Sequence, residues 1–259
     1  MENGAMISAI MECRLDDITK LVNTGLVDVN GKNTNGEPYI VFAMKYGNLK
    51  AVKLLKELGA DIEARDNKGG SVLDYEVLSG NAENIRYLKE LGADINARDS
   101  VGLTPMSKAV SKGNIEIIKC LKELGADIEA RNNNGQTPLY VAAMIGEIES
   151  IKYLKGLGAD INTIDNNGFT PILLAIVSGK IEAIKCLAGL GADVNAIIDT
   201  DKTLIFFAAA TGQIAAMKCL IELGAKLNVV SNNGQTAADF AESNGQIEAA
   251  RWLRVNGVR

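Results

Sequence analysis

Histidine is absent from the 259 residues. Without imidazole the chain has no side chain that ordinarily titrates near neutrality, no His-assisted Ser or Cys nucleophile and no His metal ligand. Aromatic residues make up only 5% of the chain, which is lean for one large core, so Ala, Leu, Ile and Gly must carry the burial. The four cysteines, Cys13, Cys120, Cys186 and Cys219, form no CxxC pair. That speaks against a zinc site and for a reducing, cytoplasmic compartment. The longest apolar runs, such as Leu204 to Ala210, are far too short to span a bilayer. No charged segment precedes an apolar stretch at the N-terminus, so no signal peptide is expected. The net charge of −5 puts a nucleic-acid partner at a disadvantage. No catalytic, cofactor-binding or metal-ligating set is visible.

What the chain does have is a period. Gly59, Gly92, Gly125, Gly158, Gly191, Gly224 and Gly257 stand 33 residues apart. Asp28, Asp61, Asp94, Asp127, Asp160 and Asp193 keep the same step, as do Thr104, Thr137, Thr170, Thr203 and Thr236. The pattern divides the chain into eight units in a single domain over 1–259: an N-terminal cap at 1–30, then 31–63, 64–96, 97–129, 130–162, 163–195, 196–228 and a C-terminal cap at 229–259. Each unit reads as helix, turn, helix, loop. Thr104 is a good N-cap and Pro105 suits the first helical position, where no N–H is needed. The same start recurs at Thr137-Pro138 and Thr170-Pro171. Gly113 ends the first helix (helix A), and Ile115, Ile118 and Leu121 give the second (helix B) an apolar face. The stretch from Ala126 to Gly135 has the Asn, Asp and Gly of a tight hairpin. Helices this short do not persist alone in water, so the units must stack.

The segment GADIEARNNNGQTPLYVAAMIGEIESIKYLKGLGAD, from Gly125 to Asp160, resembles the ankyrin repeat, and the resemblance covers nearly the whole chain. It implies an all-α fold, an ankyrin-repeat α-solenoid of stacked helix-turn-helix units with hairpin-like loops. It further implies a non-enzymatic protein–protein interaction module: a scaffold, adaptor or inhibitor that binds through a concave groove of helix A ends and hairpins. The expected molecule is a monomer with another protein as partner and no nucleic acid, membrane or cofactor. It is expected to be self-sufficient, with no appended catalytic domain. Richness in Lys, Ile and Asn fits an AT-rich genome, so a microbial effector acting in a host cell's cytosol is a further role to weigh.

Several positions depart from the family. The column that usually holds the His of Thr-Pro-Leu-His reads Val41, Asp74, Ser107, Tyr140, Leu173, Phe206 and Asp239. Thr caps and apolar stacking are expected to replace its link between units. In the column of buried alanines Glu76 is the outlier, with Lys108 its nearest partner by register. Glu76 is expected either to reach solvent through a rotated helix A or to mark a polar pocket or hinge. A small-molecule or glycan site in the Glu76/Lys108 region is therefore an alternative function. The sixth loop, where Asp201 replaces the hairpin Gly and Thr203 lacks a following Pro, is expected to be distorted.

Partner-binding candidates lie where the fold leaves the residue free. They are Arg65, Arg98 and Arg131 on the hairpins, and Leu78, Leu103, Met144, Ile145, Ile164, Phe169, Val177 and Ile197 as an apolar strip. An exposed apolar patch marks an interaction site and arginine is a frequent hot spot. The expected partner segment is acidic at one end and apolar at the other. The competing reading pairs the arginines with loop carboxylates such as Asp66 and Asp99. A basic stripe on helix B, from Lys20 through Arg86 and Lys185 to Arg251, is expected to be compensated by glutamates three residues earlier. Cys120, Cys186 and Cys219 read as reduced packing residues, because neighbouring helices stand too far apart for a disulfide. Asn96, Asn162 and Asn195 resemble loop asparagines that some ankyrin arrays present to a hydroxylase. The alternative is that they simply form turns.

Overall fold

The structure, a computed structural model, describes residues 2–198 and 201–257. The chain forms two compact units, Met1–Asp127 and Ile128–Arg259. Among the described residues the first unit holds α1 (Glu2–Met11), α2 (Leu15–Asn23), α3 (Tyr39–Lys45), α4 (Leu49–Glu57), α5 (Val72–Ser79), α6 (Ala82–Glu90), α7 (Pro105–Ser111) and α8 (Ile115–Glu123). The second holds α9 (Pro138–Ile145), α10 (Ile148–Gly156), α11 (Pro171–Val177), α12 (Ile181–Gly189), α13 (Leu204–Ala210), α14 (Ile214–Glu222), α15 (Ala237–Ser243) and α16 (Ile247–Val255). The fold is that of an ankyrin-repeat α-solenoid: helical hairpins stacked within each unit, with loops between them.

The helices begin where the sequence supplies a cap. The side chains of Ser71, Thr104, Thr137, Thr170 and Thr236 each accept the backbone N–H three residues on, and proline follows at Pro105, Pro138 and Pro171. Thr203 is the exception: it makes no cap bond, and its hydroxyl is buried without a partner among the described residues. Helix B is capped by Asn48, Asn81 and Asn114 in the first unit. In the second unit Glu147, Lys180, Gln213 and Gln246 stand there, and none makes a cap bond.

The hairpins close on one side chain each. The Oδ1 atoms of Asn33, Asp66, Asp99, Asn132 and Asp165 accept the backbone N–H groups two and four residues on. At the sixth loop this acceptor is replaced by Ile198. A short antiparallel ladder takes over instead, pairing β1 (Ile197–Ile198) with β2 (Lys202–Thr203). The rest of that loop, Asp199 and Thr200, lies outside the described residues.

Successive repeats are tied by a second set of bonds. Asn30, Glu63, Asn96, Glu129 and Asn195 accept the backbone N–H 31 residues on. Asn30, Asn96 and Asn195 also donate to Gly59, Gly125 and Gly224 carbonyls. Asn96 and Asn195 are therefore held as turn and bridge residues with both ends of the amide engaged.

The core runs between the hairpins of each unit. Ala43, Ala109, Ala142, Ala175, Ala208 and Ala241 are fully buried, as are Ile85, Leu88, Leu121, Ile151, Leu154, Ile184 and Leu187. Each buried Leu or Ile contributes about 1.5–3 kcal/mol relative to exposure. Alanine lets the helices approach, and the branched residues fill the layer between them.

Candidate functional site

Helix A and the hairpin before it form the face that carries the candidate partner-binding residues. In the first unit this face is a chain of ion pairs. Lys45 reaches Glu37 on its own hairpin and Asp66 on the next, the latter at 3.1 Å, and lies over the Tyr75 ring. The Tyr75 hydroxyl donates to Asp66 at 2.6 Å. Arg65 contacts Asp74 at 2.8 Å, and Lys108 bridges Asp74 and Asp99 at 2.8 and 3.0 Å. The environment fixes these charges. Burial raises the Asp66 carboxyl, but hydrogen bonds from Tyr75, Gly70, Lys45 and Lys68 outweigh it and hold the group at about 2. Asp99 is likewise held below its ordinary value: burial opposes the charge and Lys108 and the Leu103 N–H overcome it.

Glu76 is placed differently from the expectation. It is buried, so helix A does not turn it to solvent. Its Oε2 accepts Ser79 Oγ at 3.2 Å and Asn84 Nδ2 at 3.1 Å. Lys108 is not its partner, because the Lys108 ammonium is held by Asp74 and Asp99 on the hairpin side, whereas Glu76 turns toward α6.

Arg65 is half-buried and also donates to the Gly69 carbonyl. Arg98 and Leu78 are exposed, and Leu103 is half-buried. Asp66 and Asp99 pair with Lys45 and Lys108, and Arg65 pairs with Asp74. Beside Leu78 a concavity of about 270 Å3 opens, lined by Lys68, Gly69, Gly70, Asp74, Tyr75, Leu78, Asp99 and Lys108.

In the second unit the face is apolar. Ile164 is 49% exposed, Ile197 67% and Val230 58%, one on each of three successive hairpins. Phe169 meets Phe207 edge-on, with ring centroids 6.1 Å apart. Met144, Ile145, Phe169 and Val177 are half-buried. Arg131 is exposed, but its guanidinium donates to the Gly135 and Ile164 carbonyls and to Thr163 Oγ1 at 2.9, 2.6 and 3.0 Å. The column without His supplies its own bridge here, since the Tyr140 hydroxyl donates to Asp165 at 2.8 Å. Burial, then the Asp165 carboxylate, pushes the Tyr140 phenol well up.

One column of this face escaped the sequence reading as a set. Phe42, Tyr75, Lys108, Val141, Leu174, Phe207 and Phe240 stand 33 residues apart on helix A. The period that revealed the glycines contains this signal too. On the opposite face, Lys152 and Lys185 pair with Glu149 and Glu182 at 2.9 and 3.0 Å, as expected. Arg86 pairs with Glu123 of the next repeat rather than Glu83. All four cysteines are free, and burial raises the thiols of Cys120, Cys186 and Cys219.

Repeating hairpins that differ mainly on one face define the class: a tandem helical-repeat protein. The chain belongs to the ankyrin-repeat family. A family model of ankyrin repeats in three copies matches residues 6–99 and 106–198, and one of many copies matches 205–254. Among solved structures, the ankyrin repeat domain of Bcl-3, described as a unique member of the IkappaB protein family, is similar. It shares 27% identity and a TM-score of 0.67 over 82% of this chain and 97% of that one. No curated protein matches the chain. Ankyrin repeats are generally protein–protein interaction modules, and proteins built from them are typically non-enzymatic. No helix among the described residues is long and apolar enough to cross a membrane.

Proposed function

We propose that the chain is a non-enzymatic protein-binding module, a scaffold, adaptor or inhibitor, whose partner docks on the helix A and hairpin face of the second unit. The observation that carries this reading is the row of Ile164, Ile197 and Val230, exposed at one register on successive hairpins. Single exposed apolar residues are ordinary, but an aligned row beside an aromatic pair is a patch. At the same register the earlier repeats hold Arg65, Arg98 and Arg131, so folding does not demand an apolar residue there. The row supports a partner segment that presents apolar side chains in step with the repeats.

The test is selection of random dodecapeptides on phage against the full chain, followed by a comparison with Ile164→Arg/Ile197→Arg. Arginine already occupies this register, so the variant should fold with stability within about 0.5 kcal/mol of the parent. The expected outcome is a class of apolar peptides whose affinity drops at least tenfold on the variant. If no selected peptide distinguishes the two proteins, the docking face is wrongly placed.

A further inference from the structure

We infer that the concavity beside Gly70 in the first unit is an anchor pocket. It takes one large apolar side chain of a partner segment that carries an acidic residue within two positions of that anchor. The inference rests on the reading of the chain as a protein-binding module, but concerns a different unit and adds a partner chemistry.

The argument begins with what Gly70 replaces. At its register the other repeats hold Glu37, Leu103, Gln136, Phe169, Lys202 and Gln235. Only this hairpin lacks a side chain before the capping residue. Gly70 does not occupy the left-handed region, whereas its neighbour Gly69 does, with φ of 79°. The turn therefore needs glycine at 69 and not at 70. A Cβ on Gly70 would lie 2.9 Å from Tyr75 Cε2 and 3.2 Å from its hydroxyl oxygen. The missing side chain is thus what lets the Tyr75 ring lie against the hairpin while its hydroxyl reaches Asp66.

The concavity beside this contact has an apolar wall, from the Tyr75 ring and from Leu78, which is 46% exposed. At about 270 Å3 it falls below the roughly 300–1,000 Å3 of most small-molecule sites. That size suits one anchoring side chain of a larger partner, the arrangement in which a few residues dominate an interface. Charge selects the rest of the segment. The two carboxylates at the wall, Asp74 and Asp99, are matched by Arg65 and Lys108. Lys68 is exposed at the rim and forms no ion pair among the described residues. An acidic residue next to the anchor would meet this exposed ammonium. A basic one would face it with like charge.

The selected dodecapeptides are synthesised with a fluorophore, and their Kd values are measured by anisotropy against the full chain and three variants. Gly70→Leu occludes the pocket, and because its Cβ would meet the Tyr75 ring the ring must shift; far-UV circular dichroism and a urea titration check that the variant stays folded. Lys68→Glu reverses the rim charge at an exposed position and leaves the pocket open. The expected result is a peptide class with Phe, Leu or Met close to Asp or Glu. These peptides lose at least tenfold on Gly70→Leu, lose about threefold or more on Lys68→Glu, and are unchanged on Ile164→Arg/Ile197→Arg. The inference is overturned if no peptide is sensitive to Gly70→Leu, or if the sensitive peptides favour Lys or Arg. Peptides sensitive to the isoleucine pair alone would uphold the docking face of the second unit and sink this pocket.

Discussion

Asp66 joins a hairpin to two helices, and Asp66→Asn isolates the contribution of its charge. Its Oδ1 accepts the Lys68 and Gly70 N–H groups at 2.9 and 3.0 Å. Its Oδ2 accepts the Tyr75 hydroxyl at 2.6 Å and the Lys45 ammonium at 3.1 Å. Asparagine can perform the first task, since Asn33 and Asn132 do so at the same register. It cannot perform the second, because its NH2 would face the ammonium. The carboxyl is held at about 2 against an ordinary 3.8, with burial opposed and outweighed by the four hydrogen bonds. A group with a depressed folded value stabilises above its unfolded value, and that stability is lost as pH falls through the folded one. A drop of this size corresponds to about 2.5 kcal/mol. Asp66→Asn should therefore lower the unfolding free energy by about 2 kcal/mol at pH 7, measured by urea titration with far-UV circular dichroism. The deficit should shrink as pH falls from about 4 toward 2, where the parent carboxyl also becomes neutral. An unchanged urea midpoint at pH 7, or a deficit as large at pH 2.5 as at pH 7, would refute the reasoning.

Three further substitutions probe hydroxyl groups that the fold treats differently. Ser150 is fully buried in α10 with no partner for its Oγ among the described residues, in a column that holds alanine at Ala51, Ala183, Ala216 and Ala249. Ser150→Ala should raise stability by about 1 kcal/mol, and a lower thermal midpoint would contradict this. Thr203→Val removes a hydroxyl that caps nothing and should cost nothing measurable, while Thr137→Val removes a working cap and should cost about 1 kcal/mol. Equal losses in the two urea titrations would show that the caps are not what distinguishes these threonines.

The repeat itself was legible because its signals are local. A Thr-Pro start, a glycine in the left-handed region and an Asp or Asn that closes a hairpin each act within five residues, so the spacing alone reveals them. What was not legible depends on which way a side chain leaves its helix. Register placed Lys108 nearest to Glu76, yet Glu76 turns toward α6 and Lys108 toward the hairpins, where two carboxylates already wait. The missing histidine was plain in the sequence, but the bond from Tyr140 to Asp165 that bridges repeats in its place was not. It depends on a phenol reaching 25 residues along the chain. The columns also run unbroken through Asp127 and Ile128, so the period gave no sign of the division into two compact units.

A repeat protein supplies its own controls, and these separate two kinds of departure. Where a column breaks and leaves a polar group buried without a partner, as at Ser150 and Thr203, the break has a structural cost and no visible compensation. Where it breaks by removing a side chain at a φ that other residues adopt, as at Gly70, nothing is left unsatisfied and the Tyr75 ring takes the place against the hairpin. Gly69 belongs to neither kind, because its positive φ already explains it. Glu76 shows a third outcome: a carboxyl group in an alanine column is hydrogen-bonded by Asn84, at a position where neighbouring repeats hold Ala51 and Ile117. Departures that are matched by a partner, as here, are part of the packing. Gly70 is matched by the Tyr75 ring on one side, but unlike Glu76 it also borders an open concavity, and so Gly70 rather than Glu76 points to recognition in the first unit.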